Sequence, residues 1–192
     1  MEILCTDKTG TLTENALTVA EILAEDEDGA LRLAALGAGQ GSGRSRMPKN
    51  PFDLAVWRRL DAAGRKEVAK SVRRSEIPFD PTHRCNSVVV GRKGGDILVV
   101  RGAAEVVFPR CTARDGRPPK ETEQWLAEQG IAGRRTLAIA WKPVHGTGTE
   151  ATNDARGLRF AGVISFVDPL KKDAAEAIRK AAALGVAVKI LT

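Results

Sequence analysis

The two ends of the chain constrain its fold most. Residues 1–6 form a short apolar run, and residues 186–191 are almost wholly apolar, the pattern of strands buried on both faces of a parallel sheet. An Ala-rich amphipathic stretch over 171–184 precedes the second run, and Gly185 ends it as a helix terminator. A further strand pattern over 158–167 is broken by Asp168-Pro169. Strand–loop at one end and strand–helix–strand at the other is the order of a doubly wound α/β domain. The middle reads differently. After an acidic stretch over 21–28, whose Asp28-Gly29 reads as a turn, residues 30–36 predict a short helix and 37–49 a Gly/Ser/Arg-rich loop. Asn50 and Pro51 open a helix that carries Leu54, Trp57 and Leu60 and ends near Gly64. Strand-like runs follow over 72–79, 85–91 and 97–101, the last two joined by a hairpin turn at Arg92-Lys93-Gly94-Gly95. Residues 103–108 and 121–129 read as helices, 136–141 as a strand and 145–156 as a loop. The predicted fold class is therefore α/β: an antiparallel sheet flanked by helices, inserted into a split, doubly wound domain. The divisions are 1–19, 20–157 and 158–192.

With 192 residues, 43% hydrophobic and 28% charged, the chain suits one sizeable domain, or one domain and part of another. It contains no run of about 18 apolar residues, so no membrane span is expected within it, and no secretory leader is evident. Cys5, Cys85 and Cys111 are too scattered for a disulfide framework and read as free thiols of a reducing compartment. With two distant histidines they do not supply a zinc site. The net charge of +6 attracts polyanions, ATP, nucleic acid and anionic lipid among them. The densest basic stretch, 58–74, reads as a solvated helix and the turn after it. Trp57 alone is interleaved there, which weighs against nucleic acid as a partner.

Chemistry concentrates directly after the first strand, in Asp7-Lys8-Thr9-Gly10-Thr11-Leu12-Thr13. An Asp at the carboxyl end of a parallel strand lies at the crevice where such sheets bind ligands. A carboxylate there can attack a phosphoryl group and become an aspartyl phosphate. Gly10 lets backbone approach phosphate oxygens, and the Lys and Thr residues offer charge and donors. The plain alternative is a polar strand-to-helix turn without chemistry. The Gly37 to Gly43 stretch lacks both the preceding strand and the Lys-Ser/Thr ending of a phosphate-cradling loop, and reads as a linker.

The seven-residue string resembles the signature of the P-type cation-transporting ATPases, and further segments extend the resemblance along most of the chain. Asn50-Pro51-Phe52-Asp53-Leu54-Ala55 is similar to that family's D-P-x-E/D-x-A segment, and Phe79-Asp80-Pro81-Thr82-His83-Arg84-Cys85-Asn86-Ser87-Val88 to its F-D-x-x-x-K-x-x-S-V segment. Arg101-Gly102-Ala103-Ala104-Glu105 resembles K-G-A-P-E, with Arg for Lys and Ala for Pro. Gly133-Arg134-Arg135-Thr136-Leu137-Ala138 resembles G-x-R-x-L-A, and Asp168-Pro169-Leu170-Lys171 resembles the D-P-P-R/K hinge.

The resemblance implies a nucleotide-binding domain inserted in part of a haloacid-dehalogenase-like phosphorylation domain. Asp7 is then the phospho-acceptor, with Lys8 and Thr9 holding the transferred phosphate and with Asp7 and Thr9 at the Mg²⁺ site. Asp53 contacts adenine, Phe79 stacks on it, and Arg84 lies near the nucleotide. Arg101 and Gly102 line the cavity floor, Arg135 meets the phosphates, and Asp168 and Lys171 form the hinge. Phe79 could instead be core, Asp53 a helix-terminal charge, Arg134 a residue that merely enters a strand, and His83 a bystander. The implied cofactors are ATP and Mg²⁺. The implied partners are the membrane and actuator domains of a pump on the cytoplasmic side of a membrane, with nucleic acid excluded. The string before Thr192 and the stretch over 101–112 lean toward the magnesium-transporting branch. The family's T-G-D motif and paired Mg²⁺-binding Asp residues do not occur in these residues, so ATP binding without turnover is expected, together with association of copies through uncovered end strands. The rivals are a soluble aspartyl-phosphate phosphatase with a cap domain, which Thr9 opposes because phosphatases carry a second Asp there, and a basic polyanion-binding module.

Overall fold

The computed structural model describes residues 3–38, 48–92, 94–112, 116–144 and 155–191. Its strands are β1 (Ile3–Asp7), β2 (Thr18–Leu23), β3 (Val72–Asp80), β4 (Cys85–Arg92), β5 (Gly95–Gly102), β6 (Arg135–Val144), β7 (Arg159–Val167) and β8 (Ala187–Leu191). Its α-helices are α1 (Glu27–Leu36), α2 (Pro51–Arg59), α3 (Ala62–Lys70), α4 (Ala104–Val107), α5 (Glu121–Ile131) and α6 (Ala174–Ala183). Two sheets result. One is antiparallel, six-stranded and ordered β2-β7-β6-β5-β4-β3. The other is the parallel pair β1-β8.

Period-two alternation explains why the large sheet is covered on both faces. Val88, Val90, Ile97, Val99, Ile139 and Ile164 point into one apolar cluster, with Leu31, Leu33 and Leu36 of α1 and Val56 of α2. Their neighbours Val89, Leu98, Val100, Ala138 and Val163 point into the opposite cluster, with Val107 of α4 and Leu126 of α5. β4 and β5 are buried along most of their length for this reason.

The starts of α1, α2 and α3 follow side-chain capping. Asn50 Oδ1 accepts from Phe52 N at 2.9 Å and Pro51 fills the first turn of α2, as expected. The helix predicted to run to Gly64 is in fact two. Leu60 is extended, and Asp61 Oδ1 accepts from Gly64 N at 2.6 Å to start α3. A short carboxylate that caps a new helix outcompetes continuation of the old one. The turn expected at Asp28-Gly29 lies inside α1 for the same reason, because Asp26 Oδ1 accepts from Gly29 N at 2.9 Å.

One expectation about the ends needs correction. The strand over 158–167, assigned from sequence to the outer domain, lies between β2 and β6 in the six-stranded sheet. β2 was not anticipated as a strand. It pairs with β7, so the large sheet closes at 167 rather than 157. The end strands β1 and β8, apolar enough for a buried sheet but expected to stay uncovered in this chain, are exposed at Ile3, Leu4, Ile190 and Leu191. They pair with each other, from Ile3↔Ala187 to Asp7↔Leu191, and with no other strand among the described residues. Among the described residues a complete doubly wound sheet is not present. The glycine-rich stretch beyond Ala38 and the loop over 145–154 lie outside the described residues. No helix among the described residues is long and apolar enough to cross a membrane.

Candidate functional site

A cavity of about 630 Å³ opens at the Gly102 end of β5, within the size range of small-molecule sites. Asp53 of α2, Phe79 of β3, Arg84, Asn86 of β4, Arg101 and Gly102 line it. Residues as distant as 53 and 102 meet there because α2 packs on the face of the sheet whose β4–β5 register sets Asn86 opposite Arg101 and Cys85 opposite Gly102. Five of the six nucleotide-site residues read from sequence thus come together, and Asn86 is added to them.

Phe79 is 60% exposed on the cavity wall. A large apolar ring left in water offers a face on which a flat aromatic ligand can stack. The turn after it is built by Asp80, whose Oδ1 accepts from Thr82 N at 2.7 Å and whose Oδ2 lies 3.0 Å from His83 Nδ1. The Thr82 amide, and then His83, hold the Asp80 carboxyl below its ordinary range. Arg84 closes the turn in the left-handed region, at φ 49°. Its guanidinium meets Glu105 Oε1 at 2.7 Å and stays more than half exposed at the mouth.

Gly102 permits a close approach, though to the protein itself. A Cβ there would collide with Arg84 O and lie 2.6 Å from Cys85 Cβ. Asp53 and Arg101 are both 5% exposed and form an ion pair at 2.7 Å. Arg135 stands outside the cavity lining, which includes its neighbours Thr136 and Leu137. Its Cζ lies 6.0 Å from the Phe52 ring centroid, in reach of a cation–π contact. Arg134, read as a strand-entry charge, pairs with Glu21 and bonds Gln129 Oε1 at 2.9 Å. Lys49 and Asn86 line the cavity and were not singled out from sequence. Lys49 immediately precedes the matched Asn50-Pro51 segment, and Asn86 lies inside the Phe79 to Val88 segment. A similar cavity of about 600 Å³ opens between α1, β6 and β7 at Leu33, Trp141 and Phe160, and contains none of the predicted residues.

Asp7 ends β1 with its side chain exposed, opposite Leu191 of the parallel partner. Lys8 and Thr9 follow in an exposed kinked turn, in which Gly10 takes φ 80°. The hinge segment grips this turn from outside. Asp168 Oδ2 accepts from Thr13 Oγ1 at 2.6 Å, and Asp168 Oδ1 from Ala16 N at 3.1 Å. Gly10 N donates to Thr13 Oγ1 at 3.1 Å, while Lys171 Nζ donates to Gly10 O at 2.8 Å. Both polar groups of Gly10 are therefore held, directly or through Thr13, by residues that arrive from the far end of the sequence. No group of three or more His, Cys, Asp or Glu side chains gathers among the described residues. Mg²⁺ is commonly bound through one carboxylate together with substrate phosphate and water, and Asp7 is an exposed carboxylate.

An α/β module with a lined cavity is spliced in after a strand-end aspartate and leads back to the parallel partner of that strand. The chain belongs to the P-type ATPase family: the family description "P-type ATPase, cytoplasmic domain N" matches residues 5–173. It is 32% identical over 214 residues to the magnesium-transporting ATPase, P-type 1, of Salmonella typhimurium, covering 100% of this chain and 23% of that protein. The protein of the same name from Escherichia coli is 32% identical over 210 residues, covering 100% and 23%. Calcium-transporting ATPase 1 of Lactococcus lactis is 28% identical over 217 residues, covering 99% and 25%. The chain thus spans about a quarter of the length of these relatives.

Proposed function

We propose that this chain binds ATP in the Phe79 cavity and, as part of a cation-transporting pump, presents Asp7 to the terminal phosphoryl group. The observation that carries the proposal is Phe79, left 60% exposed on the wall of a cavity whose other lining residues include Asp53, Arg84 and Gly102. Adenine stacks on that ring. Lys49 and Arg84 supply positive charge at the lining, while Arg135 reaches the phosphates at the start of β6. A carboxylate oxygen of Asp7 attacks the γ-phosphorus, the bond to the β–γ bridging oxygen breaks, and ADP leaves with that electron pair. Lys8 and the backbone around Gly10 hold the transferred group. Asp7 and Thr9 would hold Mg²⁺, which when bound supplies charge neutralisation at the phosphates. The hinge residues Asp168 and Lys171 set the shape of the Asp7 turn. The working location is the cytoplasmic side of a membrane. The two magnesium-transporting relatives favour Mg²⁺ as the transported ion.

Calorimetry with ATP, ADP and inorganic triphosphate tests the binding. Adenine recognition makes ATP and ADP bind comparably and triphosphate much more weakly. Triphosphate or DNA that competes as well as ATP at moderate salt would show a general polyanion surface instead.

A further inference from the structure

Arg101 is not arranged as a ligand for phosphate. Its Nη1 donates at 2.7 Å to Asp53 Oδ1 and at 2.7 Å to Ala34 O. Ala34 O is one of the last-turn carbonyls of α1 that have no donor within the helix. The neighbouring amides are engaged elsewhere, Gly37 N with Leu33 O and Ala38 N with Ala35 O. The rest of this helix end is tied to the sheet in the same way, with Asn86 Nδ2 on Gly37 O at 2.8 Å and Arg73 on Ala38 O. A guanidinium at a helix C-terminus is also favoured by the helix dipole. The arginine stem leaves no slack, because a Cβ on Gly37 would lie 2.8 Å from Arg101 Cδ and 2.9 Å from Nε. Arg101 Nε is buried with no partner among the described residues. The guanidinium is therefore wedged between α1, α2 and β5, and its charge is spent on a carboxylate as buried as itself.

We propose that Arg101 is a positioning residue: it fixes the Asp53 carboxylate at the adenine end of the cavity and acts on the nucleotide only through Asp53. This rests on the ATP-binding reading above. Two consequences follow from the geometry. The cavity floor is close to neutral, since the two charges of the pair cancel. Affinity for the phosphate chain comes from other cations, and removing Arg101 does not change it.

The test is calorimetry on the whole chain with ATP and inorganic triphosphate, with thermal unfolding recorded beside each titration. R101Q and D53N each weaken ATP by on the order of tenfold, the worth of one charge-assisted hydrogen bond, and leave triphosphate unchanged. Because the two residues act as one unit, the double variant R101Q/D53N binds ATP no more weakly than the worse single variant. Loss of triphosphate affinity in R101Q equal to its loss for ATP, or losses that multiply in the double variant, overturns the proposal. A purely structural role lowers stability without changing the ratio of ATP to triphosphate affinity, and that also overturns it. Should the single variants fail to fold, R101M/D53L removes both charges at once, which leaves no uncompensated buried ion. That variant folded with ATP weakened about tenfold supports the proposal, and folded with wild-type ATP affinity refutes it. A wild-type chain that does not prefer ATP over triphosphate rejects the ATP-binding reading itself, before any variant is compared.

Discussion

Thr13 and Asp168, 155 residues apart in sequence, are joined by a 2.6 Å hydrogen bond from the Thr13 hydroxyl to the Asp168 carboxylate. Thr13 is 2% exposed, so water cannot replace the bond. The same carboxylate accepts from Ala16 N, and an isolated antiparallel bridge joins Thr13 to Leu170. The strand that leaves the large sheet is thereby locked to the turn that carries Asp7. Thr13→Val removes a hydrogen bond to a charged group and leaves the carboxylate short of a donor, at a cost of about 1.5–3 kcal/mol. Urea unfolding measures it, and Thr13→Ser, which keeps the hydroxyl, recovers most of the loss. A valine variant as stable as the parent would show that the lock contributes nothing.

Phe79 gives a second prediction. Because the ring is 60% exposed, Phe79→Ala changes stability by less than about 0.5 kcal/mol, as for most surface substitutions. If adenine stacks on it, ATP affinity falls by about 1–3 kcal/mol, as aromatic–base stacking does elsewhere. Unfolding and calorimetry on the same preparation separate the two effects. Loss of the fold with the ring would instead mark Phe79 as core.

Gly102 is constrained by its neighbours rather than by its own backbone angles. A methyl group there meets Arg84 O and Cys85 Cβ, and the Arg84 carbonyl is held in place by the Ala103 amide at 3.0 Å. Gly102→Ala forces β4 and β5 apart and destabilises by about 1–3 kcal/mol, the range for overpacking. Chemical denaturation checks the size, and weaker ATP binding accompanies it because the cavity floor moves.

Thiol chemistry distinguishes the three cysteines. Cys5 is exposed, whereas Cys85 and Cys111 are buried. Burial pushes the Cys111 thiol up from 9.0 to about 11, since desolvation disfavours the thiolate. In the native state at pH 8, an alkylating reagent therefore labels Cys5 first and leaves Cys111 unmodified, as peptide mass spectrometry reads out. The sign of the linkage follows. The folded chain holds the Cys111 proton more tightly than the unfolded chain does, so this contribution is complete below pH 9 and is lost as pH rises toward 11. Rapid labelling of Cys111 under native conditions would contradict the burial.

Most of the candidate site was legible because its motifs are local strings: Asp7 to Thr13, Asn50 to Ala55, Phe79 to Val88 and Arg101 to Glu105 each keep their spacing whatever the tertiary arrangement. Helix α2 was legible from Asn50-Pro51 because a cap and a preset φ act within one turn. Strand β2 was not, because Glu21 interrupts its alternation. That residue is accommodated by a bulge opposite Ser165, whose hydroxyl lies 3.1 Å from Glu21 N, by Arg134 before β6 and by Gln129 of α5. The place of β7 was misread for a related reason. An apolar run of nine residues is compatible with either sheet, and only its pairing with β2 and β6 chooses between them.

The sequence by itself determined the residue types, the local caps and turns, and the family, because each depends on neighbours within a few positions. Tertiary structure alone decided what those residues do to one another. Asp53 and Arg101, each a candidate nucleotide contact in isolation, neutralise each other because α2 and β5 bury them side by side. Gly102 serves a close strand contact as well as lining the cavity. The turn after Asp7 takes its shape from Asp168 and Lys171. The physical reason is common to all three. Burial removes water as the competing partner, so a charge, a hydroxyl or a carbonyl must be satisfied by whatever group the fold places beside it. That group can lie anywhere along the chain.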